Sequence, residues 1–405
     1  MNTFGFRGGE FGNWVKPEER RVLLNTAYDS FMDLAELLNI PPKAISLNGN
    51  LSIAFGARGA GGFNAAKAHY EPDRAVINLT RLNGAGSLAH EWAHALDNYF
   101  GLQGAKKNYD RNEKGEIKAG RLFKSELGGM HTSGMRKELS EIFERIVKAT
   151  QTKQVTQVMG VEKYQSEYDN FEKRTQGEAN TLLKKLENGV RRYQYNRKTK
   201  QREEVVIKAT PEQLAKAKEL TDKIVSGNSS IPTWKSITGN PLGDYAHISD
   251  DIMALSAIHK DIFGSHGLKR DGTGFYNLGY FANKLYQTKT KLDKAIAGES
   301  ETVEVPTDYF KASKEFDQTR VEPYWQKKVE LFARSFEEFV NEKLAGQKSD
   351  YLQYEKAPIY KAIYDKSPYP EGEERAELNR MFEEFFSTIK VDENNALFEP
   401  TTPLS

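Results

Sequence analysis

Two histidines stand four residues apart in His90-Glu91-Trp92-Ala93-His94, inside a run, Gly84–Phe100, expected to be helical with Asn83 as N-cap and Gly101 as its stop. On a helix, residues i and i+4 lie one above the other on the same face. Both imidazoles can therefore reach one ion at about 2.0–2.1 Å. Glu91 is rotated by about 100° from His90, which sets it beside that ion rather than on it. From there it can accept a proton from a water polarised by the metal. The plainer alternative is a helix whose two histidines face a neighbour or solvent.

Such a centre needs a third protein ligand and an open position. The chain has no cysteine, so the ligand must be His, Asp or Glu. Asp97 shares the helix face, but seven residues of helix rise about 10.5 Å, too far for convergence on one ion. It is expected to orient a ligand or to be a buried hydrogen-bonding residue. Phe100 stands six residues after His94, so a third histidine is lacking there. The strongest candidate is Glu330 in Val329–Val340. There Val329, Phe332, Phe336, Phe339 and Val340 form one stripe, and Glu330, Ala333, Arg334 and Glu337 form another. Small Ala333 would let this helix approach the histidine helix closely. Glu337 is the rival ligand, and a surface pairing of Glu330 with Arg334 is the bland reading.

Donors for a developing negative charge could come from His131, His247, His259, Tyr324 or Arg334, and the sequence does not choose among them. His69 reads as a surface or packing residue. The strand Ala75–Thr80, paired in a hairpin through Pro72–Asp73, is a candidate for adding an extended peptide along its edge, provided one edge is open.

The rest of the chain sets the frame. Its 405 residues are 38% hydrophobic and 28% charged, an ordinary globular balance with room for one elaborated domain or two coupled ones. The net charge of +1 gives no global attraction to nucleic acid or an anionic membrane. The N-terminus lacks the features of a signal peptide, and no apolar run is long enough to span a bilayer, so a cytoplasmic protein with no membrane partner is expected. Residues 1–135 read as a subdomain carrying the histidine helix: an aromatic lead-in, a helix Pro17–Leu38, strands Leu51–Phe55 and Ala75–Thr80, and the histidine helix. Residues 136–227 read as a charged helical insertion, with a capping box at Thr210–Gln213 and a hairpin or loop at Tyr193–Lys208. Residues 228–390 read as a helical subdomain supplying the third ligand, with helices at Asp250–Phe263, Gly279–Ala297, Tyr309–Phe316, Pro323–Ala345 and Glu371–Ile389. Residues 391–405 read as a loose tail.

Several stretches carry a family resemblance: FGFRGGEFGNWV, LSIAFGARG, AHYEPDRAVINLT, GAGSLAHEWAHALDNYFG and YWQKKVELFARSFEEFV. They resemble the zincin-like metallopeptidase domains of large polyvalent proteins encoded by phages and conjugative elements, over roughly residues 4–101 and 308–352. More distantly, the site is similar to gluzincin-type sites in antirestriction and repressor-cleaving peptidases. The resemblance implies an α+β zincin-like fold with a small twisted sheet, the HExxH helix and a large helical C-terminal half. It implies one zinc ion on His90, His94 and Glu330, with Glu91 as base in peptide-bond hydrolysis, a protein or peptide as substrate, and a role in conflict between mobile element and host. The competing reading is a zincin-fold module that grips protein or DNA through the basic stretches near Lys106–Lys107 and Arg191–Arg202, or an injected virion protein, without peptidase activity.

Overall fold

The computed structural model of the chain describes residues 2–13, 15–57, 68–79, 87–105, 122–128, 135–237, 244–270, 274–352 and 363–391. In chain order these form β1 (Gly9–Phe11), α1 (Pro17–Leu37), β2 (Ser52–Phe55), β3 (Ala68–Glu71), β4 (Val76–Leu79), α2 (Ser87–Ala105), α3 (Lys124–Leu127) and α4 (Lys137–Gln151). There follow β5 (Thr152–Val158), α5 (Val161–Asn188), β6 (Val190–Asn196), β7 (Gln201–Ile207), α6 (Pro211–Val225), β8 (Thr233–Ser236), β9 (Tyr245–Ile248), α7 (Asp250–Phe263) and α8 (Tyr276–Ile296). Last come β10 (Ser300–Pro306), α9 (Asp308–Asp317), α10 (Lys328–Leu344) and α11 (Gly372–Thr388). No described helix is long and apolar enough to cross a membrane.

The α+β chain divides into two compact units, one of Met1–Val155 with Glu304–Ser405 and one of Thr156–Val303. These limits differ from the segments expected at 136, 227 and 228. The reason lies in α4, whose buried Leu139, Ile142, Phe143 and Ile146 join the core of the first unit. Phe143 packs on Phe332 with ring centroids 4.7 Å apart and on Phe385 at 5.9 Å. A helix with that apolar face cannot stay in a solvated insertion.

The first unit is built on a sheet of order β1-β2-β4-β3, with β1, β2 and β4 parallel and β3 antiparallel to β4. Every residue of β4 is buried, as suits a strand flanked on both edges. That corrects one expectation: of the strand expected at Ala75–Thr80, the described β4 has no edge to offer a peptide, because β2 and β3 take both, and Thr80 lies outside the described residues. The outer strands are β1 and, beside β4, β3. The aromatic lead-in docks as expected, with Phe4 and Phe6 against Phe31 of α1 at 5.5 and 5.0 Å. In α1, Leu23, Ala27, Phe31 and Leu34 are buried, but Val22 is 61% exposed because it lies one helical step off that stripe.

Helix α2 runs through the core. Trp92 is fully buried and donates its indole N–H to the Ile45 carbonyl at 3.0 Å. Ala89 and Ala93 of α2 and Ala333 of α10 are all fully buried, which allows the two helices to pack closely. The expected stop at Gly101 is not observed; α2 continues to Ala105, and Asn83 lies outside the described residues. Gly101 serves a close approach instead. A Cβ there would stand 2.3 Å from the Leu122 carbonyl oxygen. The same stretch is fastened by Asn98, which donates to that oxygen at 2.8 Å. We expect Gly101→Ala to destabilise the first unit by about 1–3 kcal/mol through forced backbone displacement, read as a lowered denaturant midpoint; an unchanged midpoint refutes the packing argument.

The second unit has its own core of Leu182, Leu186, Leu220, Ile224, Ile252, Leu255 and Leu278. The capping box forms, with Gln213 N–H donating to Thr210 Oγ1 at 3.2 Å and Thr210 N–H donating to Gln213 Oε1 at 3.1 Å. The stretch expected to be a hairpin or loop is the β6–β7 hairpin. His247 and His259 belong to this unit: His247 packs beside Trp234 at 5.1 Å, and His259 Nδ1 lies 2.7 Å from the Ser265 carbonyl.

Candidate metal centre

Helix α2 presents His90 and His94 on one face, with their Nε2 atoms 3.1 Å apart. Glu330, in the first turn of α10, completes the group: its Oε2 is 3.5 Å from His90 Nε2 and its Oε1 is 3.7 Å from His94 Nε2. One ligand atom from each of the three lies within 4.8 Å of the others, so the group could hold a metal ion. A tetrahedral centre with bonds of about 2.05 Å has ligand atoms about 3.3 Å apart, close to the separations found. Glu330 Oε2 is buried with no hydrogen-bond partner. An ionised oxygen left that way is costly unless a cation meets it. Donor type, spacing and this orphaned oxygen all fit a small divalent ion.

Glu337 lies seven residues, two turns, further along α10, and its Oε2 is 3.2 Å from His90 Nδ1. The two acidic candidates thus have separate places. Glu330 faces the Nε2 atoms, and Glu337 faces the far side of the His90 ring, where a carboxylate fixes tautomer and orientation. Glu337→Gln should weaken metal affinity by about 10- to 100-fold without removing the site, as measured by competition with a chromogenic chelator. If it removes binding altogether, Glu337 is itself a ligand.

Asp97 is fully buried and accepts from Ser125 N–H at 2.8 Å and Ser125 Oγ at 2.6 Å. Burial pushes its carboxyl up to about 7 against those hydrogen bonds. Its bonds fasten α3 to α2, so of its two expected roles the structure shows the buried hydrogen-bonding one. The same attachment brings Phe123 to within 6.2 Å of the His94 ring. His131 lies outside the described residues.

The electrostatics of the pocket follow from burying several charges together. Burial pushes the His90 imidazole down, but contacts with Glu330 and Glu337 overcome this and raise it to about 10. Burial and the charge on His90 drive His94 down to about 3. Glu330 is held at about 2: burial works against its charge, and the histidines and Arg334 more than compensate. Glu91 rises to about 7, chiefly through burial, with His90 and the backbone N–H of Tyr70 opposing. The acidic side chains of Glu91, Glu330 and Glu337 outnumber the one guanidinium, Arg334, so the pocket favours added positive charge, either a proton on His90 or a divalent cation that displaces it.

Arg334 is 3% exposed, stacks over the Trp325 ring at 4.6 Å, and donates to the Trp325 carbonyl and, at 3.3 Å, to the Tyr309 hydroxyl. Its Nη1 is buried without a partner. Tyr324 faces Glu330, and burial with that carboxylate's charge pushes its phenol pKa up, keeping the O–H protonated as a donor. Tyr369 is raised by burial and stands against Glu337 in the same manner. The residues before α10 are held by Asp317, whose carboxylate accepts from the N–H groups of Tyr324, Trp325 and Gln326 at 2.8–3.0 Å. That knot occupies the stretch expected to be the first turn of a helix from Pro323, so α10 begins at Lys328.

Sequence reasoning found Tyr324 and Arg334 as candidates but missed Tyr70, Tyr309, Asp317 and Tyr369. None stands at a diagnostic spacing from the histidines. The one available signal was the density of Tyr and Trp around the Glu330 helix.

Residues 316–393 match the family model described as Large polyvalent protein-associated domain 1. The match supports an association with large polyvalent proteins and says nothing about hydrolysis. It contains Tyr324, Glu330, Arg334, Glu337 and Tyr369, and it does not include residues 4–101, where the histidines lie. No curated protein and no solved structure matches the chain.

Proposed function

We propose that this chain is a zinc-dependent peptidase with a zincin-like catalytic unit. The observation that carries the reading is the convergence of His90, His94 and Glu330, with the Glu91 carboxylate beside them and anchored by the Tyr70 N–H. Two imidazoles and one carboxylate are a ligand set of catalytic zinc sites, which keep a fourth position for water or substrate. A zinc ion held by these residues supplies Lewis acidity and makes water nucleophilic near neutral pH.

The chain's own residues do the rest. Glu91 accepts the proton of the attacking water and returns it to the leaving amine nitrogen. Glu337 holds the His90 ring in place through Nδ1. Tyr324 and Arg334, which both interact with Glu330, are assigned to the oxygen that gains negative charge as the carbonyl is attacked. β3, the outer strand beside α2, lies where an extended peptide would run, because Tyr70 connects it to Glu91. The association with large polyvalent proteins supports a setting in conflict between mobile element and host.

The test is to incubate zinc-loaded protein with a peptide library made from a bacterial lysate and to sequence the new N-termini by mass spectrometry. Chelator-sensitive cleavage at a consistent motif supports the reading. A zinc-loaded protein that generates no new termini from denatured or native substrates refutes it.

A further inference from the structure

The β6–β7 hairpin of the second unit plays no part in the chemistry above, and its composition is unlike that of the rest of the chain. Arg191–Arg202 contains six arginines and lysines and no acid, in a protein whose net charge is +1. The two strands pair over seven residues each, about 23 Å of ribbon. Alternation places Arg191, Tyr193 and Tyr195 on one face, opposite Val206, Glu204 and Arg202. On that face Tyr193 is 69% exposed, Tyr195 60% and Val206 53%.

An exposed two-stranded ribbon with no core under it is marginal in water, yet this one is anchored at both ends. At its base, Val190 and Ile207 pack on the unit's core, and Arg192 donates to the Ile262 carbonyl at 3.2 Å. At its tip, Asn196 accepts from the N–H groups of Lys198 and Thr199, and both Asn196 and Thr199 donate to Glu203 at 2.8–2.9 Å. The acid nearest the tip is thereby committed to the turn. Arg197, Lys198, Lys200 and Arg202 have no ion-pair partner among the described residues. The result is a firm ribbon with two unpacked phenol rings on one face and unpaired cations at its end.

We propose that this hairpin is a binding arm for single-stranded nucleic acid, with bases stacking on Tyr193 and Tyr195 and phosphates meeting Arg197, Lys198, Lys200 and Arg202. Cations alone would suit any polyanion. The rings decide for a single strand, because they offer flat apolar faces and bases have to leave their own stack to use them. Residues i and i+2 on a strand are about 7 Å apart, roughly twice the 3.4 Å rise of stacked bases, so each ring takes a separate base. A duplex keeps its bases paired and would use the cations only.

The experiment uses the full chain and a fluorescent oligothymidylate of about 16 nucleotides, followed by anisotropy across a salt series, with a duplex of equal length and anionic phosphatidylglycerol vesicles in parallel. Saturable binding to the single strand, tighter than to the duplex or the vesicles, is expected. Tyr193→Ala with Tyr195→Ala should weaken it at least about tenfold. Arg197→Gln, Lys198→Gln and Lys200→Gln together should lower the slope of log affinity against log salt by about two. Circular dichroism melts of the variants confirm that the fold is kept; the side chains changed are all exposed. No binding at low salt overturns the proposal. So does equal binding to duplex with no effect of the tyrosine pair, which means polyanion attraction alone, and so does a preference for the vesicles.

Discussion

His94→Ala abolishes stoichiometric metal binding and lowers the thermal midpoint of the metal-loaded protein by about 10 °C. The physical basis is that the three donors come from segments far apart in the chain, α2 and α10, so the ion fastens together two elements of the first unit's core. A ligand present at about a thousand times its dissociation constant contributes roughly 4 kcal/mol to stability, and about 1 kcal/mol moves the midpoint of a unit of this size by some 2–4 °C. Removing one of three protein ligands removes most of that term. The control is the chelated wild type, whose midpoint should fall close to that of the variant. Elemental analysis and calorimetry of both proteins check the expectation. A variant that retains one equivalent of zinc refutes the assignment of His94.

The second large effect is chemical rather than structural. Glu91→Gln should lower peptide cleavage by about 10²–10⁴-fold, the contribution of a positioned general base, and leave metal content and melting temperature near those of the wild type. Glutamine keeps the size of the side chain and can still accept from the Tyr70 N–H through its carbonyl, but it cannot take a proton from water. Loss of zinc in this variant would make Glu91 a ligand instead of a base. Retained cleavage would mean that another group moves the proton or that the activity belongs to a contaminant. A binding module with the same metal centre would keep its biological effect on this substitution.

Glu330 in the first turn of α10 carries a heavier burden than its sequence position suggests. Helix α10 buries Glu330, Arg334, Glu337 and Glu338 together, each under 10% exposed. Glu338 is paired with Arg375 of α11 at 3.2 Å. Buried charge clusters of this kind often cost more than an apolar replacement of similar volume, and a cation held by Glu330 with the two histidines would offset part of that cost. An aromatic layer surrounds that helix, with Phe332 and Phe336 against Phe382 at 5.7 and 5.5 Å. That packing fixes the helix and so holds its carboxylates in place.

What the sequence determined by itself is what one helix or one turn can encode. Helical periodicity placed His90 and His94 on one face, put Glu330 and Glu337 on a common stripe, and found the buried Leu23, Ala27, Phe31 and Leu34 of α1 but wrongly added the exposed Val22, while the capping box located the Thr210 cap. Only the tertiary structure separated Glu330 from Glu337. They lie two turns apart on one helix, about 10.5 Å, and which of them meets the histidines depends on where α10 crosses α2. The same holds for β4, whose short apolar run does not say whether it is central or at an edge, and for Gly101, which reads as a stop until Leu122 is found against it. It holds as well for α4, whose place in the first unit follows from the rings it meets. Each of these was decided by contacts between residues distant along the chain, which no local pattern records.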